Sequence, residues 1–361
     1  MKEKREPLYL YAYKRLRKEI VDGMYKEGQK LPSKRTFAEA MGISVITAEH
    51  AYGLLESEGY IEARQRSGYF CIFKKNDRFL SSVPSDADYP ESAKVSTGYG
   101  GFPFSLYAKT ARRVLSEYGE KILLADNSPA DGVLAREIAA YLGRSRGMEV
   151  SPGQIIVGSG AEALYGVITD LLGRERIYAA EDPSYEMIEK VYISKGIRYE
   201  MLPLGKNGIK SGALAGTSAT VLHITPYRSF PSGVTADASK RSEYIRWAEE
   251  GDRYIVEDDF ESEFTVTGKI YDTVFSSSDK GNVIYMNTFS KSVSPAVRIA
   301  YLVLSEPLLS VFKEKFGGYR CTVPVFEQYI MASLLKSGEF ERHINRTRRL
   351  MRKEKQEREK K

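Results

Sequence analysis

The apolar positions change their period several times along the chain, and each change marks an element. Tyr9, Tyr13, Leu16 and Ile20 recur at helical spacing, predicting a first amphipathic helix that Gly23 and Gly28 close off. Pro32 and Ser33 open a second helix, with Ser33 as its N-cap and Phe37, Ala38 and Met41 on one face, and Gly42 ends it. After the turn Gly42-Ile43-Ser44, a third helix carries Ala48, Ala51, Tyr52 and Leu55 on one face, which leaves Ile46, Thr47 and His50 on the other. Two short helices about a tight glycine turn make a helix-turn-helix, whose second helix can enter a major groove. The stretch Tyr60 to Phe73, YIEARQRSGYFCIF, reads as a two-stranded wing turning at Arg66-Ser67-Gly68, where glycine permits close approach to a phosphate backbone.

Residues 74–100 are rich in Ser, Asp, Lys and Pro without sustained periodicity and read as a linker. From Phe102 the pattern becomes short apolar strands alternating with helical segments, as in IIVGSGAEALYGVITDLL, RIYAAEDPSYEMIEKVYI and VIYMNTFSKS. That alternation predicts a mostly parallel sheet covered by helices. Phe340, Ile344, Thr347 and Met351 carry a last helical stripe, followed by RKEKQEREKK, which has no apolar residue.

With 361 residues, the chain is longer than one average domain, and no apolar run is long enough to span a membrane. The start MKEKREPLYL lacks a signal-peptide core, and two distant cysteines make no disulfide framework, so a soluble chain in a reducing cytoplasm is expected. Three scattered histidines, His50, His223 and His343, give little support to a metal site or a histidine triad. Net charge is +6, with the basic excess at the two ends: about +5 over residues 1–75 and about +6 over residues 341–361. A basic N-terminal segment fits a nucleic-acid module, although a solvated charged face gives the same excess.

The chemistry-bearing residues lie in the second half. Lys291 sits between two strand-like runs, seven residues before Arg298, in YMNTFSKSVSPAVRIAYLVL. A lysine in a largely buried site can act as a Schiff-base nucleophile, and a surface-loop lysine is the alternative. Gly158-Ser159-Gly160-Ala161 lies between the strand Ile155-Ile156-Val157 and a helix beginning near Glu162, where backbone N–H groups and the helix dipole can hold a phosphate. Glu257-Asp258-Asp259 follows the strand Tyr254-Ile255-Val256; a carboxylate there can pair with a protonated ring nitrogen or merely cap a turn. Tyr185, in Asp182-Pro183-Ser184-Tyr185, offers a ring for stacking or for the core.

The segment LPSKRTFAEAMGISVITAEHAYGLLESEGYIEARQRSGYF resembles the winged-helix domain of the GntR superfamily of bacterial regulators. The resemblance places Ser33, Lys34 and Arg35 at a helix start facing DNA, Ser44, Ile46 and Thr47 at the recognition-helix start, and Arg66, Ser67 and Gly68 in the wing. That family usually has an arginine directly after the recognition-helix serine; Val45 stands there, so bidentate readout of a guanine is not expected at this position. Residues 101–361 resemble the fold type I pyridoxal-phosphate proteins, the aspartate aminotransferase superfamily. By that resemblance Lys291 joins the cofactor as a Schiff base, Asp258 pairs with the pyridine nitrogen, and Tyr185 stacks on the ring. Ser159, Gly160, Ala161, Thr288, Ser290 and Arg298 hold the phosphate.

A GntR-type head (residues 1–75), a linker (76–100) and an aminotransferase-like body (101–361) form the architecture of the MocR subfamily of transcriptional regulators. ITPYRSFPSGVT is similar to that subfamily's ITPSHQFPTGVT, in which phenylalanine, here Phe230, replaces the asparagine of true aminotransferases beside the cofactor's phenolic oxygen. Tyr227-Arg228-Ser229 replaces Ser-His-Gln, and Phe260 stands where a tyrosine usually donates to the same oxygen. In the resembling family the last helix leads into a further subdomain with a carboxylate-gripping arginine, which this chain is expected to lack. The resemblance therefore implies a homodimeric regulator of double-stranded DNA. It would sense an amino compound by transimination at Lys291, with no catalytic residues and no metal. A pyridoxal-phosphate aminotransferase with an accessory DNA-binding domain shares Lys291, and a DNA-binding protein with a degenerate, cofactor-free body shares the head.

Overall fold

The computed structural model describes residues 7–65, 67–74, 101–124, 132–265 and 272–359. The chain divides into two compact units, Met1–Ala93 and Lys94–Lys361. The stretch read as a linker, 76–100, and the wing residue Arg66 lie outside the described residues.

The first unit contains α1 (Leu8–Val21), α2 (Lys34–Met41), α3 (Val45–Ser57), β1 (Ile61–Arg64) and β2 (Gly68–Cys71). Both helices of the turn start on a serine cap. Ser33 accepts the N–H of Thr36 at 3.1 Å, and Ser44 accepts that of Thr47 at 3.1 Å, each satisfying a donor left without a partner in the first turn. Gly42, at φ 63°, occupies the left-handed conformation that ends α2. Ala12, Leu16 and Ile20 of α1 pack against Ala48, Ala51, Tyr52 and Leu55 of α3, with Phe37 from α2, and all are buried. Tyr9 is the exception to the expected stripe: it stands at the edge of the packed face, half exposed, with its ring edge-on to His50. β1 and β2 pair antiparallel, Ile61 opposite Cys71 and Arg64 opposite Gly68, making the expected wing.

The second unit is built on an eight-stranded sheet. Its strands are β3 (Ile155–Gly158), β4 (Ile177–Asp182), β5 (Arg198–Gly205), β6 (Gly208–Ile209), β7 (Val221–Ile224), β8 (Tyr254–Asp258), β9 (Val283–Thr288) and β10 (Ala300–Val303). Their spatial order is β3-β10-β9-β8-β7-β4-β5-β6. The β9-β8-β7-β4-β5 block is parallel, whereas β10 runs antiparallel to both β3 and β9, and β6 antiparallel to β5. The mostly parallel sheet expected from the sequence is therefore present as a mixed one.

Period-two alternation sends successive side chains to opposite layers. Ile155 and Val157 of β3, Tyr285 of β9, and Tyr301 and Val303 of β10 face one layer, with α5 (Val133–Arg146), α11 (Val325–Lys336) and α12 (Glu339–Glu359). Ile156, Ile284, Met286, Ala300 and Leu302 face the other, with α6 (Ala161–Leu172), α7 (Glu186–Ser194) and α10 (Glu306–Lys315). Both faces are covered, which is why these strands read as nearly unbroken apolar runs. Phe340, Ile344 and Thr347 of α12 are buried and Met351 partly so, as the last stripe predicts.

Candidate cofactor site and nucleic-acid interface

Three consecutive carboxylates at the end of β8 meet three different environments. Glu257 accepts the backbone N–H groups of Val274 and Phe275 at 2.9 and 2.8 Å. Asp259 pairs with Arg146 and accepts the Tyr285 hydroxyl at 2.8 Å. Asp258 alone of the three lines a cavity of about 210 Å³, and is held there by Tyr165, whose hydroxyl donates to its Oδ2 at 2.6 Å. Burial pushes the Tyr165 hydroxyl well above its ordinary range, so it remains a donor. His223 of β7 stands beside the same carboxylate, Nε2 3.7 Å from Oδ2, while its Nδ1 meets the Tyr192 hydroxyl at 2.8 Å.

The same cavity is lined by Ala161, Tyr185, Thr288, Ser290, Lys291 and Arg298, and by Phe230 and Phe260. It sits where the carboxyl ends of β3, β8 and β9 meet the start of α6, the usual place for a ligand in an open α/β sheet. Gly160 has φ 94°, and a Cβ on it would lie 2.9 Å from Nη2 of Arg298, so glycine is what lets the arginine approach the N-terminus of α6. There Arg298 already binds one anion, the carboxylate of Glu162. Around it the Thr288 and Ser290 hydroxyls lie 3.2 Å apart, and the Ser159 N–H donates to Thr322 Oγ1 at 3.0 Å. Tyr185, at the start of α7, turns its ring edge toward Phe230 at 6.4 Å between centroids.

A cation, two hydroxyls and a helix N-terminus around a glycine cradle, with a buried carboxylate in the same cavity, suit a phosphorylated heteroaromatic ring. Lys291 Nζ lies 3.3 Å from Glu261 Oε1, and Arg228 Nε 3.5 Å from the second oxygen of that carboxylate. Among the described residues, no group of histidine, cysteine and carboxylate side chains could hold a metal ion.

In the first unit, Ser33, Arg35, Ser44, Val45, Ile46, Ser67 and Gly68 are exposed and Thr47 half-buried. Ile46, two-thirds exposed at the start of α3, has no core contact to explain it. Lys34 stands partly exposed at the same helix start. Its Nζ is 2.6 Å from Glu49 Oε1 and lies over the Tyr69 ring, which ties α2 to α3 and to the wing.

The sequence matches the model of bacterial regulatory proteins of the gntR family over residues 8–71, and that of aminotransferase class I and II over residues 126–359. The HTH-type transcriptional regulator YdeL of Bacillus subtilis (strain 168) is 32% identical over 357 residues, spanning 96% of this chain and 77% of that protein. This chain belongs to the MocR-type regulators. The probable rhizopine catabolism regulatory protein MocR of Rhizobium meliloti is 28% identical over 368 residues, 95% of this chain and 75% of its own. Among solved structures, Pyrococcus horikoshii kynurenine aminotransferase, in complex with PMP, superposes with a TM-score of 0.62 at 25% identity, over 69% of this chain and 64% of that one. The chain thus spans about three quarters of its curated relatives and less than two thirds of that enzyme. An aminotransferase class I and II domain implies a pyridoxal-phosphate site, as the cavity's donor set does independently.

Three site residues escaped the sequence reading, among them Tyr165, which holds Asp258. His223 looked isolated because its neighbours Tyr192 and Asp258 are distant in sequence; its clue was a single polar residue within the apolar strand Val221–Ile224. Glu261 stands in an acidic run, EDDFESE, and its burial beside Lys291 distinguishes it.

Proposed function

We propose that the chain is a transcriptional regulator that binds operator DNA through its winged helix and holds pyridoxal 5'-phosphate in its second unit, where an amino compound competes with Lys291 for the cofactor's carbonyl carbon. The observation carrying this reading is that Lys291, Asp258 and Arg298, separated by up to 40 positions, line one cavity. When bound, the cofactor supplies an aldehyde carbon that condenses with amines and a ring that withdraws electrons while its nitrogen is protonated. Asp258, buried and oriented by Tyr165, would hold the proton on that nitrogen. Arg298, Thr288, Ser290 and the start of α6 at Ala161 would hold the phosphate, with Ser159 and Gly160 in the turn before it, where the Gly160 N–H already donates to Gly158 at 2.9 Å, and Tyr185 would cover a ring face.

The choice of regulator over enzyme rests on Phe230 and Phe260, which present apolar rings to the cavity where aminotransferases use polar partners. A signal requires the amino compound to favour one protein state, since equal affinity for two states shifts neither. A homodimer would present two winged helices to paired half-sites, with Ser33, Arg35, Ser44, Ile46, Thr47, Ser67, Gly68 and Arg66 at the duplex and Lys34 supporting them. The domain limits 1–75, 76–100 and 101–361 belong to the same proposal.

The deciding experiment adds pyridoxal phosphate to the purified chain and follows its visible absorbance, then adds a panel of amines and amino acids while operator binding is measured by mobility shift. A visible band that moves with an amine and changes DNA affinity is expected. Sustained keto-acid production from any amino donor would instead identify an enzyme. If borohydride fixes no pyridoxyl group on Lys291, the cofactor assignment is lost.

A further inference from the structure

Three neighbours attract Lys291 Nζ. Glu261 Oε1 lies 3.3 Å away, and the ring centroids of Phe260 and Phe230 lie at 5.4 and 5.7 Å. Glu261 is buried and its second oxygen faces Arg228. Arg228 is itself fixed: it has the one positive φ among described non-glycine residues, 51°, and its N–H donates to Thr235 Oγ1 at 3.1 Å. A carboxylate with two aromatic faces is a receptor for an ammonium ion, because the ring quadrupoles and the carboxylate both attract a compact positive charge. Its present guest is the side chain of Lys291.

We propose that Glu261, with Phe230 and Phe260, is a positioning site for the free ammonium of Lys291. It thereby sets how readily Lys291 yields the cofactor carbon to another amine. This inference rests on Lys291 being the amine that is exchanged. In that exchange the carbon–nitrogen bond to Lys291 breaks while the ligand nitrogen forms its own. Two protons pass from the ligand ammonium to the lysine nitrogen, which already carries one, so Lys291 leaves as an ammonium and no further reactant is consumed. A site that attracts this released ammonium more strongly than the bonded nitrogen tilts the exchange toward the ligand. Asparagine in place of Phe230 would offer the cofactor a hydrogen bond and no such face, whereas tyrosine in place of Phe260 would keep the ring and add a hydroxyl.

The test has two arms, both on the full chain. Without cofactor, Lys291 is reductively methylated with formaldehyde and cyanoborohydride at fixed pH, and its rate is read by peptide mass spectrometry. Glu261→Gln is expected to speed labelling about threefold, Phe230→Leu to speed it by a similar factor, and Glu261→Asp, which keeps the charge, to restore slow labelling. Phe230 is half exposed, so its variant does not depend on a core repair. With pyridoxal phosphate, Glu261→Gln should raise by a similar factor the amine concentration that half-converts the visible band. Unchanged labelling in both Glu261→Gln and Phe230→Leu overturns the proposal, as does faster labelling with an unchanged amine requirement. If the wild-type chain forms no visible band while labelling behaves as expected, the cofactor reading fails and the ammonium site alone stands.

Discussion

At the scale of single residues, Lys291, shortly after β9, and Asp258, the last residue of β8, could be picked out by the order of the motifs that carry them, whereas the side chains that contact them could not. Asp258 could be chosen from Glu257-Asp258-Asp259 only through the family pattern, since side-chain environment decides which carboxylate enters the cavity. Replacing Asp258 by Ala should weaken pyridoxal-phosphate binding at least tenfold, read by absorbance titration, with operator affinity of the cofactor-free chain unchanged. Glu181 carries a further prediction. Burial pushes its carboxyl up to about 8, with the Ser229 hydroxyl drawing it partly back. Its folded-state value lies above the ordinary 4.5, so the folded chain holds a proton that the unfolded chain has lost. Stability from this group is full below pH 4.5 and declines as pH rises toward about 8, with a ceiling of about 5 kcal/mol at about 1.4 kcal/mol per pH unit. Glu181→Gln should therefore melt at a higher temperature than wild type at pH 8.5 and at the same temperature at pH 4.5, by calorimetry.

Among the elements, helices and strands were legible wherever one face is buried, because the apolar period records that face. α1, α2, α3 and the wing emerge where glycine and serine punctuation places them. What the period does not record is the direction of a strand buried on both faces: β10 shows the same unbroken apolar run as β3 and β9 on either side of it and runs opposite to both. Nor does it record the partners of a surface polar side chain: Lys34, read as facing DNA, also braces α3 through Glu49. Ser44→Ala removes the cap of α3 and should cost about 1 kcal/mol in urea denaturation of the winged-helix unit. Gly160→Ala acts at another helix start. With φ at 94° and Arg298 at 2.9 Å from the added Cβ, it should abolish measurable cofactor binding while leaving mobility shifts of operator DNA intact.

For the whole molecule, the division into two units could be read from the change of hydrophobic period near Phe102, whereas charge does not mark it, since one basic excess lies over residues 1–75 and the other over residues 341–361. The head's duplex binding should be strongly salt dependent. Arg35→Ala is expected to weaken it and to reduce the slope of log affinity against log salt by about 0.9, the value for one phosphate contact. The reversed strand β10 has its own bearing on how the body tolerates change. Ala300 is opposite both Gly158 and Thr288, so residues 289–299, Lys291 and Arg298 among them, form a closed span whose two feet stand on one row of the sheet. The amine and the guanidinium are therefore spaced by chain length inside the span, not by the strands that anchor it. One residue inserted after Ser294 would leave the strand pairs in register, yet displace Val297, buried in the same core as Phe289 and Val293, and move the two groups out of step, so both the melting temperature and cofactor binding should fall. In this body, the separation of reactive amine and anion grip can drift during evolution without the sheet registering it.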